Sequence, residues 1–305
     1  MQIVVGTRGS QLALVQTEEV LSRLRLLNQP PSLTVVEIKS TGDALPEAPL
    51  AKLGKGIFIR ELELALLQGR INMAVHSLKD LPVDLAEGLS MVVVGQRQDP
   101  RDVLVSKDNR SLSEMAPGEV IGTSSPRRMA QLRAMRDDLR VEPIRGNVDT
   151  RLQKALGQDY DGVVVAAAGL ARLGIEGRTA QYFEPIEMVP EPGQGALAVE
   201  VRSEDQESLR LLSQLVDPAT SIATAAERAF VEAMGGGCKV PIAAYAAVEG
   251  DTLVLVGMVA SEDGAQMVKT RLELSADEPL AAGEALAEKL LSMGAADILN
   301  VGDPT

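Results

Sequence analysis

Short apolar runs alternate with amphipathic stretches through the first two thirds of the 305-residue chain. Residues 3–5, 33–38 and 73–75 predict strands, the last short and buried. Residues 10–27 predict a helix with Ala13, Val20, Leu24 and Leu27 on one face, and residues 57–67 predict another. Residues 42–56, rich in Gly, Pro and Ala, predict a long loop. Such alternation implies a mostly parallel sheet with both faces covered.

A second unit follows in the same style, with strands expected at 120–122, 139–144 and 162–166 and helices at 126–135 and 148–156. The polar, proline-bearing stretch 96–102 predicts a hinge into it. Residues 190–195, with two prolines and two glycines, predict the return. A strand at 196–201 then rejoins the first sheet. Two crossings between two α/β lobes, one over 1–95 and 196–216 and the other over 100–190, describe a clamshell like that of type 2 periplasmic binding proteins.

The last third, 217–305, changes style. An alanine-rich helix at 221–234 precedes three alternating strands at 242–248, 252–259 and 266–274. Glu249-Gly250-Asp251 and Asp263-Gly264 supply the turns. A helix over 279–293 closes the chain, with a capping box expected from Ser275 and Glu278 and an apolar face of Ala282, Leu286, Leu290 and Met293. This predicts a small α+β domain with a three-stranded antiparallel sheet. No internal repeat stands out in the sequence.

Composition narrows the function. No apolar run reaches membrane-spanning length, and the N-terminus enters a strand-like run directly, so a cytoplasmic protein without membrane contact is expected. With no Trp, three Tyr and three Phe, platforms for stacked bases are scarce, and a net charge of −13 argues against nucleic-acid binding. The acidity is uneven. Residues 97–172 hold thirteen Lys/Arg against eleven Asp/Glu, whereas 219–305 hold five against thirteen.

Four polar clusters fall just past predicted strands, the edge where open α/β sheets bind ligands. They are Thr7-Arg8-Gly9-Ser10, His76-Ser77-Leu78-Lys79-Asp80, Gly122-Thr123-Ser124-Ser125-Pro126-Arg127-Arg128 and Arg145-Gly146-Asn147-Val148-Asp149-Thr150-Arg151. Ser125 before Pro126 is an N-cap with proline at the first helical position, and the N–H groups of such a start suit an anion. Asn147 is expected to cap the next helix. Singly, each arginine reads as a surface ion pair. Arg127, Arg128, Arg145, Arg151 and Arg172 at successive strand ends predict a pocket for several anions. Asp80 is an acid among these bases: either a cap or a partner of Lys79, or a carboxylate with catalytic work. His76, the lone histidine, ends a buried strand, which suits a structural hydrogen bond. Cys238 is the single cysteine, after Gly235-Gly236-Gly237 and shortly before Pro241. It can form no internal disulfide and has almost no partners for a metal cage. Core filler, redox accident and covalent attachment point remain open for it.

Together these stretches resemble the porphobilinogen deaminase (hydroxymethylbilane synthase) family. The resemblance rests on TRGS at Thr7, LGKGIF, AVHSLKDLP, DPRD, GTSSPRR, RGNVDTR, AAAGLARLG, EPGQGALAVE and GGGCKVPI, in register along nearly the whole chain. It implies a monomeric transferase that joins four porphobilinogens on a dipyrromethane cofactor held by a thioether. By resemblance Cys238 is the attachment point and Asp80 the catalytic aspartate, stabilising positive charge as ammonia leaves. Lys79, Asp80, Ser125, Arg127, Arg128 and Gly146 would hold the cofactor. Arg8, Ser10, Arg145, Arg151, Arg172 and Gln194 would hold substrate, and Lys52 and Lys55 would add charge from the long loop. That loop departs from the family pattern, with one glycine, Gly54, before its lysine where two are usual. Two rival readings are a non-catalytic anion-binding clamshell and a thiol-dependent acyl transferase. The second would want a base beside Cys238, and His76 is the only histidine available.

Overall fold

The computed structural model describes residues 2–39, 59–155, 157, 159–175, 177, 179–235 and 241–301. The predicted loop 42–56, with Lys52 and Lys55, lies outside the described residues, and so does Cys238.

In chain order the elements begin with β1 (Gln2–Thr7), α1 (Gln11–Arg25), β2 (Ser32–Glu37), α2 (Arg60–Leu67), β3 (Met73–Ser77) and β4 (Leu89–Val94). Then come β5 (Asp102–Ser106), β6 (Val120–Gly122), α3 (Pro126–Met135), β7 (Arg140–Glu142), α4 (Val148–Ala155), β8 (Gly162–Ala166), α5 (Ala167–Arg172) and β9 (Gln181–Phe183). The chain continues with β10 (Leu197–Arg202), α6 (Gln206–Ser213), α7 (Pro218–Ala233), β11 (Ile242–Glu249), β12 (Thr252–Ala260), β13 (Met267–Ser275), α8 (Pro279–Leu290) and α9 (Ala296–Val301). They fall into two compact units, Met1–Gln98 with Gly195–Ser221, and Asp99–Gln194 with Ile222–Thr305.

The first unit is built on a sheet of order β2-β1-β3-β10-β4. β1 runs parallel to β2 and β3, while β10 is antiparallel to both β3 and β4. Alternate side chains of each strand point to opposite faces. Met73 and Val75 therefore join Val20, Leu21, Leu24 and Leu212 on one side, and Ala74 joins Leu62, Ala65 and Leu66 on the other. Burial of both faces is why these strands read as apolar runs rather than as alternating patterns.

The second unit holds a sheet of order β7-β6-β8-β5-β9, parallel across β7, β6 and β8 and antiparallel at β5. Its plan repeats that of the first, with four strands in one direction and a fifth inserted against them. The expected mostly parallel sheet is corrected to this extent: half of each sheet's ladders are antiparallel. The repeat is one of topology, which is why no sequence repeat announced it.

In the same unit, β11, β12 and β13 form an antiparallel meander. One face packs on α7 and α8 through Phe230, Leu253, Leu255, Leu286 and Leu290. The other face meets α3 and the return segment through Val256, Met258, Ala130 and Val189, so β12 is apolar almost throughout. Glu227 of α7 is fully buried, and its carboxylate accepts hydrogen bonds from the backbone N–H of Gly193 and of Ala246, each at 2.7 Å. It ties the return segment to the meander.

Two further expectations are corrected here. The Ser275–Glu278 capping box does not form. Pro279 occupies the first turn of α8, Glu278 becomes the N-cap without a side-chain bond, and Ser275 Oγ accepts from Asp277 N instead. Met293 leaves the apolar face and is 43% exposed, because the helix breaks at Gly294, whose φ is 100°.

Where the chain leaves and re-enters the first unit, Gln98 N–H donates to Gly195 O at 3.2 Å. Gly195 has φ +91°, and a Cβ there would run into the Gln98 carbonyl oxygen. Gly195→Ala is therefore expected to destabilise the protein. The left-handed backbone alone costs about 1–2 kcal/mol, and the carbonyl clash adds to it. A melting-temperature comparison checks this, and an unchanged value would show that the crossing adapts freely.

Candidate active site

In the first unit, the parallel pair β1 and β3 sends its C-terminal ends to one edge. At the end of β1, Thr7 is buried and its hydroxyl lies 2.7 Å from that of Thr17 on α1. Arg8 follows, half-buried. Ser10 caps α1, its Oγ accepting from Ala13 N at 3.3 Å, which leaves its own O–H to donate. Gln16 of α1 donates to Ser77 Oγ at 2.7 Å and so fixes the end of β3.

Beyond Ser77 the chain makes a 3₁₀ turn, Leu78–Asp80. Leu78 and Leu81 are buried on either side of Lys79 and Asp80, and Leu78 N–H donates to Ala196 O at 3.0 Å. Two apolar anchors thus hold the charged pair at the surface of the unit. The Asp80 carboxylate is half-buried and has no hydrogen-bond or ion-pair partner among the described residues. It neither caps a helix nor pairs with Lys79. A carboxylate so placed is available to donors from a ligand.

His76 lies on β3 with Nε2 3.0 Å from Glu200 Oε2 of β10, both side chains buried. Nearby Glu63 of α2 has its carboxyl raised above the ordinary value by burial and by the Glu200 charge, against the opposing pull of His76. The lone histidine thus faces a buried carboxylate inside the sheet, but neither His76 Nε2 nor the Glu200 oxygens complete a hydrogen bond among the described residues, so the structural hydrogen bond expected from the sequence is corrected to a close contact.

In the second unit, the parallel set β7, β6 and β8 forms the corresponding edge. Ser124 Oγ donates to Ile144 O at 2.6 Å and accepts from Ile144 N at 3.1 Å, stitching the loop after β6 to the loop after β7. Ser125 caps α3 by accepting from Arg128 N, with Pro126 in the first turn, as expected. Arg145 follows Ile144. Gly146 has φ +115°, and a Cβ there would meet Thr150 Cγ2 at 2.5 Å, so only glycine fits. Arg151 Nε donates to Gly146 O at 2.8 Å, and Lys154 Nζ to Arg145 O at 3.0 Å. Arg172 stands at the far end of α5, more than one helical turn beyond β8, rather than at the strand end.

Arg127 and Arg128 do not point outward. Both are buried against Asp102, the first residue of β5, which is itself fully buried. Arg127 Nη1 donates to Asp102 Oδ2 at 2.6 Å and to Val189 O at 2.8 Å, while its Nε donates to Glu191 at 3.2 Å. Arg128 donates to Asp102 Oδ1 through Nε at 3.0 Å and Nη2 at 2.7 Å, and through Nη1 to Val164 O at 3.1 Å. Gln194, also fully buried, donates to Asp102 Oδ1 at 2.8 Å and to Pro100 O at 2.7 Å. Burial would raise the Asp102 carboxyl, but Arg127 and Arg128 outweigh it and hold the group well below the usual carboxylate range. Its stabilising contribution is thus complete above the ordinary aspartate value and is lost only as pH falls below it.

Sequence reasoning missed Asp102 as the buried partner of Arg127 and Arg128 and β5 as a strand, because a charged first residue suggested a solvated hinge. The available signal was alternation. Arg101 faces outward, doubly bonded to Asp99, so its neighbour faces inward. Two adjacent arginines on a buried helix face then require an acid. No group of three or more His, Cys, Asp or Glu suited to a metal ion occurs among the described residues.

The family model described as "Porphobilinogen deaminase, dipyromethane cofactor binding domain" matches residues 3–210, and "Porphobilinogen deaminase, C-terminal domain" matches residues 221–292. A porphobilinogen deaminase of Geobacillus kaustophilus (strain HTA426) is 50% identical over 295 residues, covering 96% of this chain and 95% of the relative. That of Bacillus subtilis (strain 168) is 45% identical over 301 residues, covering 98% and 95%. Among solved structures, the methionine binding protein MetQ aligns with TM-score 0.43 and 12% identity over 70% of this chain and 89% of its own. The probable amino-acid transporter binding protein ytmK of Bacillus subtilis aligns with TM-score 0.41 and 10% identity over 70% and 90%.

Proposed function

Because the chain belongs to the porphobilinogen deaminase family, we propose that Cys238 carries a dipyrromethane primer through a thioether and that Asp80 is the carboxylate at the reacting centre. The enzyme is a transferase of tetrapyrrole biosynthesis. It condenses porphobilinogen head to tail, with loss of ammonia, into hydroxymethylbilane. Four porphobilinogens and one water give one hydroxymethylbilane and four ammonia molecules, which balances the atoms.

The observation that carries the reading of the site is the half-buried carboxylate of Asp80, which has no partner among the described residues, on its doubly anchored turn. A site built only to bind polycarboxylates gains nothing from an unpaired acid. A site that expels ammonia from an aminomethylpyrrole gains a fixed negative charge beside the cation that develops. Asp80 also accepts pyrrole N–H hydrogen bonds, orienting the ring.

The donors present fit the primer in kind, with guanidinium N–H groups for its carboxylates and a free carboxylate for its pyrrole N–H groups. When bound, the primer supplies the pyrrole carbon to which each new unit is joined. Arg127, Arg128 and Lys79 would receive its acetate and propionate groups, with Ser125 and the bare backbone at Gly146 alongside. Arg8, Arg145, Arg151 and Arg172, with Ser10, would receive those of the substrate. Guanidinium forks match carboxylates in geometry and have no accessible neutral form, so they bind without transferring protons. Gln194 serves the substrate side indirectly, since its amide is committed to Asp102 and Pro100.

We also propose a cytoplasmic, monomeric enzyme, with the segment 217–305 as the domain that presents Cys238. No described helix is long and apolar enough to cross a membrane. Intact-mass measurement of the purified protein tests the central point. The expected result is a mass above that of the bare chain by one two-pyrrole unit. A protein that turns over porphobilinogen without that increment would overturn the thioether assignment.

A further inference from the structure

We infer that Asp102 is a positioning residue that turns Arg127 and Arg128 into a receptor for one carboxylate rather than two. The inference deepens the reading above and rests on it.

Each guanidinium has five N–H groups. On Arg127, the Nε group goes to Glu191, and Nη1 serves Asp102 and the Val189 carbonyl. Both N–H groups of Arg127 Nη2 have no partner among the described residues. The Arg127 side chain as a whole keeps 3% of its surface exposed. On Arg128, Nε and Nη2 go to Asp102 and Gln194, and Nη1 to the Val164 carbonyl, which leaves a single N–H on Nη1. The pair therefore has one nitrogen end free for an incoming acid.

Charge leads to the same count. Two guanidiniums against one fully buried carboxylate leave one positive charge. Glu191, whose side chain is 21% exposed, draws on that charge from the outer side through a longer, solvent-screened contact. A second ligand carboxylate would find only the single remaining N–H of Arg128 Nη1 and no charge to balance it. With Asp102 in place, the Arg127 edge that could swing is pinned on two sides, and the free Nη2 end points one way. The ligand class is a carboxylate borne on a pyrrole, acetate or propionate. Under the proposed function it belongs to the primer.

The test compares Asp102→Asn, Asp102→Glu and Arg127→Lys, reading the fraction of folded protein that carries the primer by intact mass and the melting temperature of the same samples. Asp102→Asn keeps the shape but removes the charge that holds both guanidiniums in this arrangement, leaving only their weaker neutral contacts and Glu191. Its loaded fraction should fall about tenfold or more, and Asp102→Glu should recover part of the loss. Arg127→Lys keeps a charge for Asp102 but has no separate nitrogen for a ligand. It should stay folded yet load about tenfold less, and it keeps the test decisive if Asp102→Asn does not fold. Wild-type loading in Arg127→Lys or in folded Asp102→Asn would overturn the inference, reducing Asp102 to a support for stability. A wild-type protein without the primer would instead sink the reading on which the inference stands.

Discussion

Asp80→Asn should fold, retain its primer and lose about a hundredfold or more in turnover, the scale on which removing one preorganised charge-stabilising group acts. The substitution conserves size and removes the charge alone. Asp80 makes no hydrogen bond or ion pair within the described structure, so its loss leaves no buried group unpaired and stability should barely move. The two buried leucines that hold the turn, Leu78 and Leu81, are untouched. Asp80→Glu keeps the charge but displaces it by one methylene and should fall between Asn and wild type. Single-turnover kinetics on primer-loaded variants separate the chemical step from primer assembly. If the Asn variant matches wild type there, the charge of Asp80 has no part in the chemistry, and cation stabilisation has another source.

Cys238→Ser should abolish activity altogether, and for a different reason. Oxygen replaces sulfur with little change in size, but a serine hydroxyl at neutral pH is a far weaker nucleophile than a thiol. The variant is expected to be folded, to melt close to the unloaded protein and to show the bare-chain mass. The contrast with Asp80→Asn is diagnostic: the Asp80 variant is loaded but slow, whereas the Cys238 variant is unloaded and inactive. A Cys238→Ser protein that still carried the two-pyrrole increment would move the attachment to another residue.

How far the sequence reveals this protein depends on the range of the interaction concerned. Ser125-Pro126 marks the start of α3 because cap and proline act within one turn. Glu249-Gly250-Asp251 marks a hairpin because Gly250 supplies the positive φ that the turn needs. Asp80 and the arginines are visible as residue types at strand ends. Their partners are not. Asp102 lies 25 residues from Arg127 and 92 from Gln194, and nothing local distinguishes a charge neutralised in a core from one facing water. Ser275 shows the same limit on a smaller scale: the capping pattern is present, but Pro279 moves the helix start and the serine turns to Asp277. β10 is legible as a strand at 196–201, but its antiparallel direction escaped for a topological reason. An inserted strand has the same apolar pattern as a parallel one, and only its pairing reveals its direction.

That insertion also has a bearing on how the polypeptide is made. β10 lies between β3 and β4, yet 102 residues separate the end of β4 at Val94 from the start of β10 at Leu197. As the chain leaves the ribosome, β3 and β4 are complete long before the strand that joins them exists. Both present unpaired N–H and C=O groups meanwhile, which are templates for wrong partners. Residues 99–194 must be synthesised, and can collapse around their own sheet, before the first sheet closes. Closing so long a loop adds little to the final stability balance but delays folding. The N-terminal sheet of this enzyme is therefore completed late, and the interval before β10 arrives is when the nascent chain is most exposed to aggregation.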